Sequence, residues 1–336
     1  MSCYHIITRQ KPRRGFTLIE LLVVIVIIGI LASLIFVGAG AARNAARRAV
    51  IKTQIAQIEG ALARYQSKYG EFPPDFSDYQ AVLRHVRKRW PKFDWGGQPQ
   101  TFETFCDMVQ ASAGYNFNIL TKDDLPKDAD ECEFKSRGAH VGALAFWLGG
   151  ILDQNGMLNG FSADISDPLG FHSGSITQWD KDSQFLELTK GSNCEIFDGV
   201  PIIMANSYPI AYFKPNAAGK YVERPPLDES LCYHFRYKDG VHPVTWEYLG
   251  IAVPYAKTDD HPDVAVWHNP KSYQLIHPGL DGQFSVPKKL PNGNPNPEFE
   301  EFRVIDPAND VMAGCTLKDR DNQANFGGTT IESAGN

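Results

Sequence analysis

The sequence has few cysteines, and no two of them are close together. Six cysteines are spread over 336 residues without a CxxC pair. They lie at Cys3, Cys106, Cys132, Cys194, Cys232 and Cys315. Zinc fingers and thiol redox motifs depend on closely spaced pairs, so the usual forms of both classes are excluded. We expect these cysteines to be structural, either buried or disulfide-bonded.

The sequence also lacks the short motifs of common enzyme families. It contains no HExxH, no P-loop and no GxGxxG, which are signatures of zinc peptidases, P-loop NTPases and dinucleotide-binding enzymes. In the run GFHSG, from Gly170 to Gly174, the serine stands one position too late for a nucleophile elbow. We therefore assign no catalytic residue and predict that the chain is not an enzyme.

Acidic residues are absent from the first fifteen positions, which contain four basic ones. Removing these four of the 33 Lys and Arg leaves 29 against 39 Asp and Glu, a net charge of −10. Sequence-independent nucleic-acid binding depends on Lys and Arg contacting phosphates, so we expect no nucleic-acid partner. The basic cluster at 84–89 is then best explained as a solvated helix face.

Residues 16–42 form an apolar run whose one charged residue is Glu20. The run is long enough to cross a hydrocarbon core of ~30 Å, and we predict that it is transmembrane. A secretory signal with cleavage near Gly40 is the alternative, although such signals have apolar stretches of only ~7 to 15 residues. A carboxylate within a span costs ~2.5 to 3.5 kcal/mol, which indicates a function for Glu20 unless it reaches the headgroups.

A specific motif surrounds this acid. The run RRGFTLIELLVVIVIIGILA, from Arg13 to Ala32, closely resembles the class III signal of type IV prepilins and type II secretion pseudopilins. The resemblance implies that prepilin peptidase cuts after Gly15 and methylates the new terminal residue, Phe16. Residues 1–15 would then be a leader peptide.

The resemblance also gives Glu20 a role in assembly. It implies that the carboxylate pairs with the terminal ammonium of a neighbouring subunit as a helical filament forms. Two unpaired charges in lipid are costly and a paired set far less so, so the acid would favour assembly. An intrachain pair stays open as an alternative, because Phe16 and Glu20 are one helical turn apart.

Apolar spacing predicts that the helix continues through residues 43–70. The stripe comprises Ile51, Ile55, Ile58, Leu62, Tyr65 and Tyr69. Gly70 and the prolines at 73–74 then end the helix. The stripe has two candidate partners, a second helix in a coiled coil or, as in pilin-like proteins, the chain's own globular domain, which we favour.

Residues 71–336 are expected to form a globular body. Helices are predicted at 75–90, 101–113 and 138–152, and β-prone runs at 207–213, 231–237, 244–249 and 272–276. The predicted fold class is α+β, with a long N-terminal helix packed on a domain that has an antiparallel sheet. Relative to pilin-like proteins, this body would be enlarged by an insertion over about 75–270.

Three short patches resemble the bodies of major pseudopilins. They are DPLG from Asp167, YQLIHPGLDG from Tyr273 and DNQANFGG from Asp321. The resemblance implies one calcium ion, held by Asp281 and Asp321, with Asp310 and Asp319 in reserve. Calcium prefers six to eight oxygen ligands, but Asp-Gly residues also bond to their own backbone in ordinary turns.

Together these features predict a structural subunit of a type II secretion pseudopilus or a related type IV filament. The chain would cross the inner membrane once, with its C-terminal body in the periplasm. Its partners would be prepilin peptidase, the inner-membrane assembly platform and further copies of itself. A membrane-tethered periplasmic enzyme or ligand-binding domain, which uses the segment only as an anchor, is the alternative.

Overall fold

A computed structural model describes most of the chain after the predicted leader. The described residues are 17–76, 78–113, 138–153, 155–197, 200–221, 233–238, 246–252, 254–257, 266–282, 284, 303–306, 311–313 and 322–326. The chain divides into two compact units, Met1–Ala46 and Arg47–Asn336, and the division falls within the first helix. The leader at 1–15 and the predicted residues Phe16 and Asp321 lie outside the described residues.

Four α-helices are described, and each lies where the sequence predicts one. They are α1 (Leu18–Tyr69), α2 (Tyr79–Arg89), α3 (Phe102–Ala113) and α4 (Gly138–Gly149). The Asp78 side chain caps α2 by accepting a hydrogen bond from the Ala81 N–H at 3.0 Å. Gly70, at φ 78°, follows α1 and ends it as the sequence predicts.

Thirteen short strands are described, and the first four precede the β-prone runs, which begin at residue 207. They are β1 (Phe161–Ser162), β2 (Trp179–Asp180), β3 (Cys194–Phe197), β4 (Val200–Ala205), β5 (Tyr208–Pro209), β6 (Ala211–Phe213), β7 (Tyr233–Lys238), β8 (Trp246–Ala252), β9 (Tyr255–Ala256), β10 (Gln274–His277), β11 (Arg303–Asp306), β12 (Val311–Ala313) and β13 (Gln323–Ala324). All four predicted β-prone runs contain a strand. The helices and strands together confirm the fold class α+β.

The described strands form five small sheets rather than one. Three sheets have three strands, in the orders β3-β4-β5, β13-β10-β6 and β12-β11-β9. Two have two strands, β1-β2 and β7-β8. Every pairing between the described strands is antiparallel except that of β9 with β11. The antiparallel character is confirmed, whereas the expected insertion stays a prediction.

The later part of α1 packs against the body of the second unit. Its stripe is buried at Ile51, Ile55, Ile58, Ala61, Leu62 and Tyr65. The Tyr65 ring lies 4.9 Å from the Phe185 ring, and the Gln54 side chain accepts a hydrogen bond from the Asn206 N–H in the β4–β5 turn. Within this unit the stripe therefore faces the chain's own domain, as favoured, rather than a coiled-coil partner.

The prediction of a solvated face for the cluster at 84–89 is wrong for two of its members. His85 and Arg89 are only 2% and 9% exposed. Both lie on the side of α2 that packs against the aromatic rings of the core. The remaining basic residues of the cluster, Arg84, Arg87 and Lys88, are exposed as expected.

A glycine after α4 allows two backbone segments to meet. Gly150 has φ 90° and pairs with Gly160, and a Cβ at position 150 would overlap the Gly160 carbonyl. Gly156 has a similar φ of 74°, but a Cβ there would meet nothing within 4 Å. The two positions therefore share backbone strain and differ in steric overlap.

We predict that Gly156→Ala costs about 1 kcal/mol of unfolding free energy, because it adds only the strain of a positive φ. Gly150→Ala should cost about 3 kcal/mol or more, because overlap with fixed backbone is added to that strain. Urea unfolding of the purified chain in detergent micelles, followed by tryptophan fluorescence, measures both. Equal losses in the two variants would contradict the close approach of residues 150 and 160.

Candidate functional site

The candidate site lies at the amino end of α1, in the first unit. The methylation and cleavage residues Gly15 and Phe16 precede the described residues, so their roles stay predictions. Glu20 is described and occupies the first turn of α1. Thr17, the first described residue, immediately precedes the helix.

Thr17 and Glu20 form a reciprocal pair that caps α1. The Glu20 Oε2 atom accepts hydrogen bonds from the Thr17 backbone N–H at 2.8 Å and from the Thr17 hydroxyl at 2.7 Å. The Thr17 Oγ1 atom in turn accepts a longer bond, 3.4 Å, from the Glu20 N–H. This is a capping box, in which a Thr and a Glu three residues apart satisfy the helix's first donors.

The capping box shows that Glu20 has a structural role beside the predicted one. A carboxylate in the first turn also interacts favourably with the positive end of the helix dipole. The spacing Thr-x-x-Glu before an apolar run is a sequence signal for this box, so the capping role of Glu20 was predictable from the sequence. Within the described residues, both hydrogen bonds to the carboxylate use Oε2, which leaves Oε1 for another donor.

The helix that follows Glu20 exposes a long series of large apolar side chains. From Leu18 to Leu31 these side chains are between 43% and 83% exposed. Apolar surface on all sides of a helix requires a partner or an apolar medium to cover it. Among the described residues, however, no helix combines the length and apolarity needed to cross a membrane. The span over 16–42 stays a prediction.

The predicted calcium loop is described only in part. Asp281 is exposed and lies in a turn with Gly282 at φ 75°, whereas Asp321, Asp310 and Asp319 lie outside the described residues. No group of three or more His, Cys, Asp or Glu among the described residues is placed to hold a metal ion. The described side chains alone therefore do not form a calcium site.

The fold nevertheless brings the two predicted segments together. The Asn322 Nδ2 atom donates hydrogen bonds to the Phe284 carbonyl and to the Tyr255 hydroxyl, both at 3.1 Å. The Asn322 Oδ1 atom is buried and has no hydrogen-bond partner among the described residues. A buried amide oxygen of this kind is a suitable ligand for a hard cation.

His277, which lies in the predicted patch from Tyr273, is structural. Its Nε2–H donates to the Ala205 carbonyl at 2.8 Å, and its Nδ1 accepts from the Gly279 N–H at 3.0 Å. Burial lowers the pKa of this imidazole to about 4. Because both nitrogens are occupied, His277 is not placed to bind a metal ion.

The DPLG patch forms a turn, in which the Gly170 N–H donates to the Asp167 carbonyl at 3.1 Å. The buried Asp167 carboxylate accepts hydrogen bonds from the N–H groups of Phe171, His172 and Ser173 at 2.8 to 3.1 Å. Gly170 has φ 71°, which the turn requires. Three donors satisfy the buried charge, so this acid organises the loop.

Comparisons with known proteins agree with the amino-terminal motif. Residues 10–36 match the family described as "Prokaryotic N-terminal methylation motif", and this range contains Gly15, Phe16 and Glu20. No solved structure matches the chain at a significant level.

Three curated relatives share one name, type II secretion system core protein G. The type II secretion system core protein G of Klebsiella michiganensis is 32% identical over 106 residues, which cover 27% of this chain and 75% of that protein. The Klebsiella pneumoniae protein of that name is 32% identical over 105 residues, with the same coverage. That of Vibrio cholerae is 30% identical over 105 residues, covering 27% of this chain and 72% of the relative.

Most of this chain lies outside these matches, which fits a body larger than that of the relatives. The matched part nevertheless spans most of each relative, and it agrees with the methylation motif at the amino end. On these grounds the chain belongs to the pseudopilin family of the type II secretion system core protein G.

Proposed function

We propose that this chain is a structural subunit of a type II secretion pseudopilus and has no catalytic activity of its own. The observation that carries the proposal is a methylation motif that includes the beginning of a capped helix whose apolar side chains are exposed. Such a helix needs to be covered on all sides, and a bundle of identical helices in a filament core covers it. The body would then form the outer surface.

The same apolar surface supports a membrane-anchored subunit before assembly. A prepilin-type signal implies insertion into the inner membrane as a single-pass protein, with the body in the periplasm. Lipid would cover Leu18 to Leu31 in that state, and neighbouring helices would replace lipid in the filament. The platform that extracts the subunit would act on the same segment.

The role proposed for Glu20 is electrostatic. Cleavage after Gly15 gives Phe16 an ammonium group, which stays protonated after methylation. A neighbour's ammonium can pair with Glu20 Oε1 while Thr17 keeps Oε2, so capping and pairing use different oxygens. Pairing removes the cost of two separate charges in an apolar medium.

Processing is the first test. We predict that the chain recovered from its native membrane lacks residues 1–15 and begins with N-methylated Phe16, as intact mass and N-terminal sequencing would show. Gly15→Val should leave the leader attached, because a branched side chain replaces hydrogen at the cleaved bond. A chain that starts near Gly40, or a wild-type chain that keeps Met1, would contradict prepilin processing.

Assembly tests the charge of Glu20 separately from its capping function. Glu20→Gln keeps an acceptor for the Thr17 N–H and removes the charge, whereas Thr17→Ala weakens the cap and keeps the charge. Loss of a buried pair costs about 3 kcal/mol, a factor of ~100 in association, so E20Q should abolish sedimentable filaments. The cap is worth about 1 kcal/mol, so T17A should reduce them only modestly.

If T17A reduced sedimentable filaments more than E20Q, assembly would depend on helix capping and not on ion pairing. Normal filaments with E20Q would contradict the proposed pairing of Glu20 with a neighbouring subunit. Secretion that needs the chain but proceeds without any filament would favour the tethered enzyme or ligand-binding domain instead.

A calcium ion is the second element of the proposal, with Asp281 and Asp321 as carboxylate ligands. Support comes from the hydrogen bond between Asn322 and Phe284, which brings the chain next to residue 321 close to the chain after Asp281. The unpartnered Oδ1 of Asn322 offers a further oxygen. The ion would tie the two segments together.

Calcium should raise the thermal unfolding temperature of the wild-type chain by several degrees, because it binds only the folded state. Magnesium should not, because it requires a tighter octahedral site. The variant D281N/D321N should lose the calcium response. Asp153→Asn is the matched control, because the Asp153 carboxylate is occupied by the N–H groups of Asn155 and Met157. An unchanged response in D281N/D321N would rule out this site.

A further inference from the structure

A buried chain of hydrogen bonds joins α1 to α2 at a single histidine. The His85 ring, on α2, has both nitrogens within bonding distance of partners on other segments. Its Nε2 lies 2.6 Å from the Tyr65 hydroxyl of α1, and its Nδ1 lies 2.8 Å from Glu71 Oε1 in the following loop. Arg89, one turn further along α2, donates from Nη1 to the same Tyr65 oxygen at 3.1 Å. Tyr65 is fully buried, and His85 is 2% exposed.

The chemistry of the partners fixes the direction of every proton in this chain. The hydrogen bond from His85 lowers the pKa of Glu71 to about 2, so this carboxylate is ionised and only accepts. Nδ1 of His85 must therefore be the donor to Glu71, which leaves Nε2 as an acceptor in the neutral ring. Tyr65 then donates its hydroxyl proton to Nε2 and accepts from Arg89.

The guanidinium of Arg89 places a fixed positive charge beside this series of hydrogen bonds. Arg89 has Cζ between 4.3 and 5.5 Å from the centroids of five aromatic rings. The rings belong to Tyr65, Tyr69, Trp90, Trp147 and Phe161. Its Nε and Nη2 atoms are buried and have no hydrogen-bond partner among the described residues. Ring faces stabilise the guanidinium, but no described carboxylate forms an ion pair with it.

A second proton on His85 cannot be accommodated in this arrangement. Protonated Nε2 would point its hydrogen at the Tyr65 oxygen, which already directs its own hydrogen along the same line. The Tyr65 hydroxyl would have to turn away and leave its proton without an acceptor in the core. Its oxygen would then face two cationic donors, His85 and Arg89.

We propose that Tyr65, His85 and Glu71 form a proton-operated latch, which holds α2 against α1 while His85 is neutral and releases α2 when His85 takes up a proton. The proposal goes beyond filament assembly and does not depend on it. The latch acts on the contact between the assembly helix and the body of the same subunit.

Several charged and titratable groups lie around His85, and some raise its pKa while others lower it. From α1 they are Tyr65 and Tyr69, from the loop Glu71, from α2 Lys88 and Arg89, and from the segment after β6 Lys214. Trp147 of α4 faces the ring edge-on and carries no charge. Burial lowers the pKa of His85 most, Glu71 acts against this lowering, and Arg89 and Lys214 add to it.

The lowered pKa of His85 determines the sign of the pH effect. Because the folded chain holds this proton less tightly than the unfolded chain, the latch is fully closed above the ordinary histidine pKa of 6.5. Its contribution is lost progressively as the pH falls below that value. Glu71 remains ionised throughout this range and does not reverse the effect.

The test is hydrogen exchange of the full-length chain in detergent micelles between pH 7.5 and 5.0, corrected for the intrinsic rate. Peptides covering 61–69 and 79–89 should lose protection by about tenfold per pH unit below pH ~6.5, as expected for one linked proton. The β4 peptide, 200–205, should keep its protection. His85→Gln, which cannot titrate, should remove the pH dependence of the two helical peptides. His172→Gln is the control, since His172 bonds to Asp94 on another part of the body and should not alter it.

NMR of the histidine ring nitrogens in the wild-type chain provides an independent measurement if H85Q does not fold. The His85 ring should carry its proton on Nδ1 at neutral pH, and it should not take up a second proton while α2 keeps its protection. Loss of protection in β4 together with α2 would overturn the latch, because His85 would then affect only global stability. Titration of the ring with α2 still protected would overturn it as well.

Discussion

The contact between the later part of α1 and the body is the interaction on which the rest of the second unit depends. Six side chains of the helix, from Ile51 to Tyr65, are fully or almost fully buried in it. Burial of each large apolar side chain contributes roughly 1.5 to 3 kcal/mol, so this stripe is a main source of stability. The stripe belongs to the same hydrophobic core as Trp147 of α4, whose ring contacts Phe76 and His85.

At its amino end, α1 carries the charge of Glu20 among exposed apolar side chains. Within an isolated subunit, Thr17 supplies two donors to the Glu20 carboxylate, which reduces the cost of keeping the acid charged. Such bonds do not neutralise the charge, so a cation from a neighbouring subunit still gains by pairing with it. The capping box therefore preserves the carboxylate in a fixed rotamer without using both of its oxygens. The role proposed for Glu20, capping its own helix and pairing with another subunit, requires both properties.

Sequence reasoning identified the helices and the four β-prone runs because their periods and turn residues are local. The four runs do not include β1 to β4, and of these β1 and β2 have only two residues each, too few to carry a period, so they exist through tertiary pairing. It placed His85 and Arg89 on a solvated face because their charge outweighed their spacing relative to Val82 and Val86. Both lie on the buried side of α2, where aromatic rings and Tyr65 contact them, and only the folded core reveals those partners. The capping box was readable from Thr17 and Glu20, but the resemblance directed attention to charge alone.

Apolar burial by itself would leave the register of α1 on the body poorly defined. The stripe repeats with a period near seven, so a slip of two turns would replace Ile51 by Ile58 and Ile55 by Leu62 with little loss of area. Polar contacts remove this ambiguity. Arg64 donates to the Phe185 carbonyl, Lys68 donates to the Asp182 carbonyl, and the Gln54 side chain accepts from Asn206. The Tyr65 hydroxyl, paired with His85, is buried among these contacts, so a slip would strand it without a partner. Apolar area thus holds the helix on the body, while a few polar groups decide where it is held.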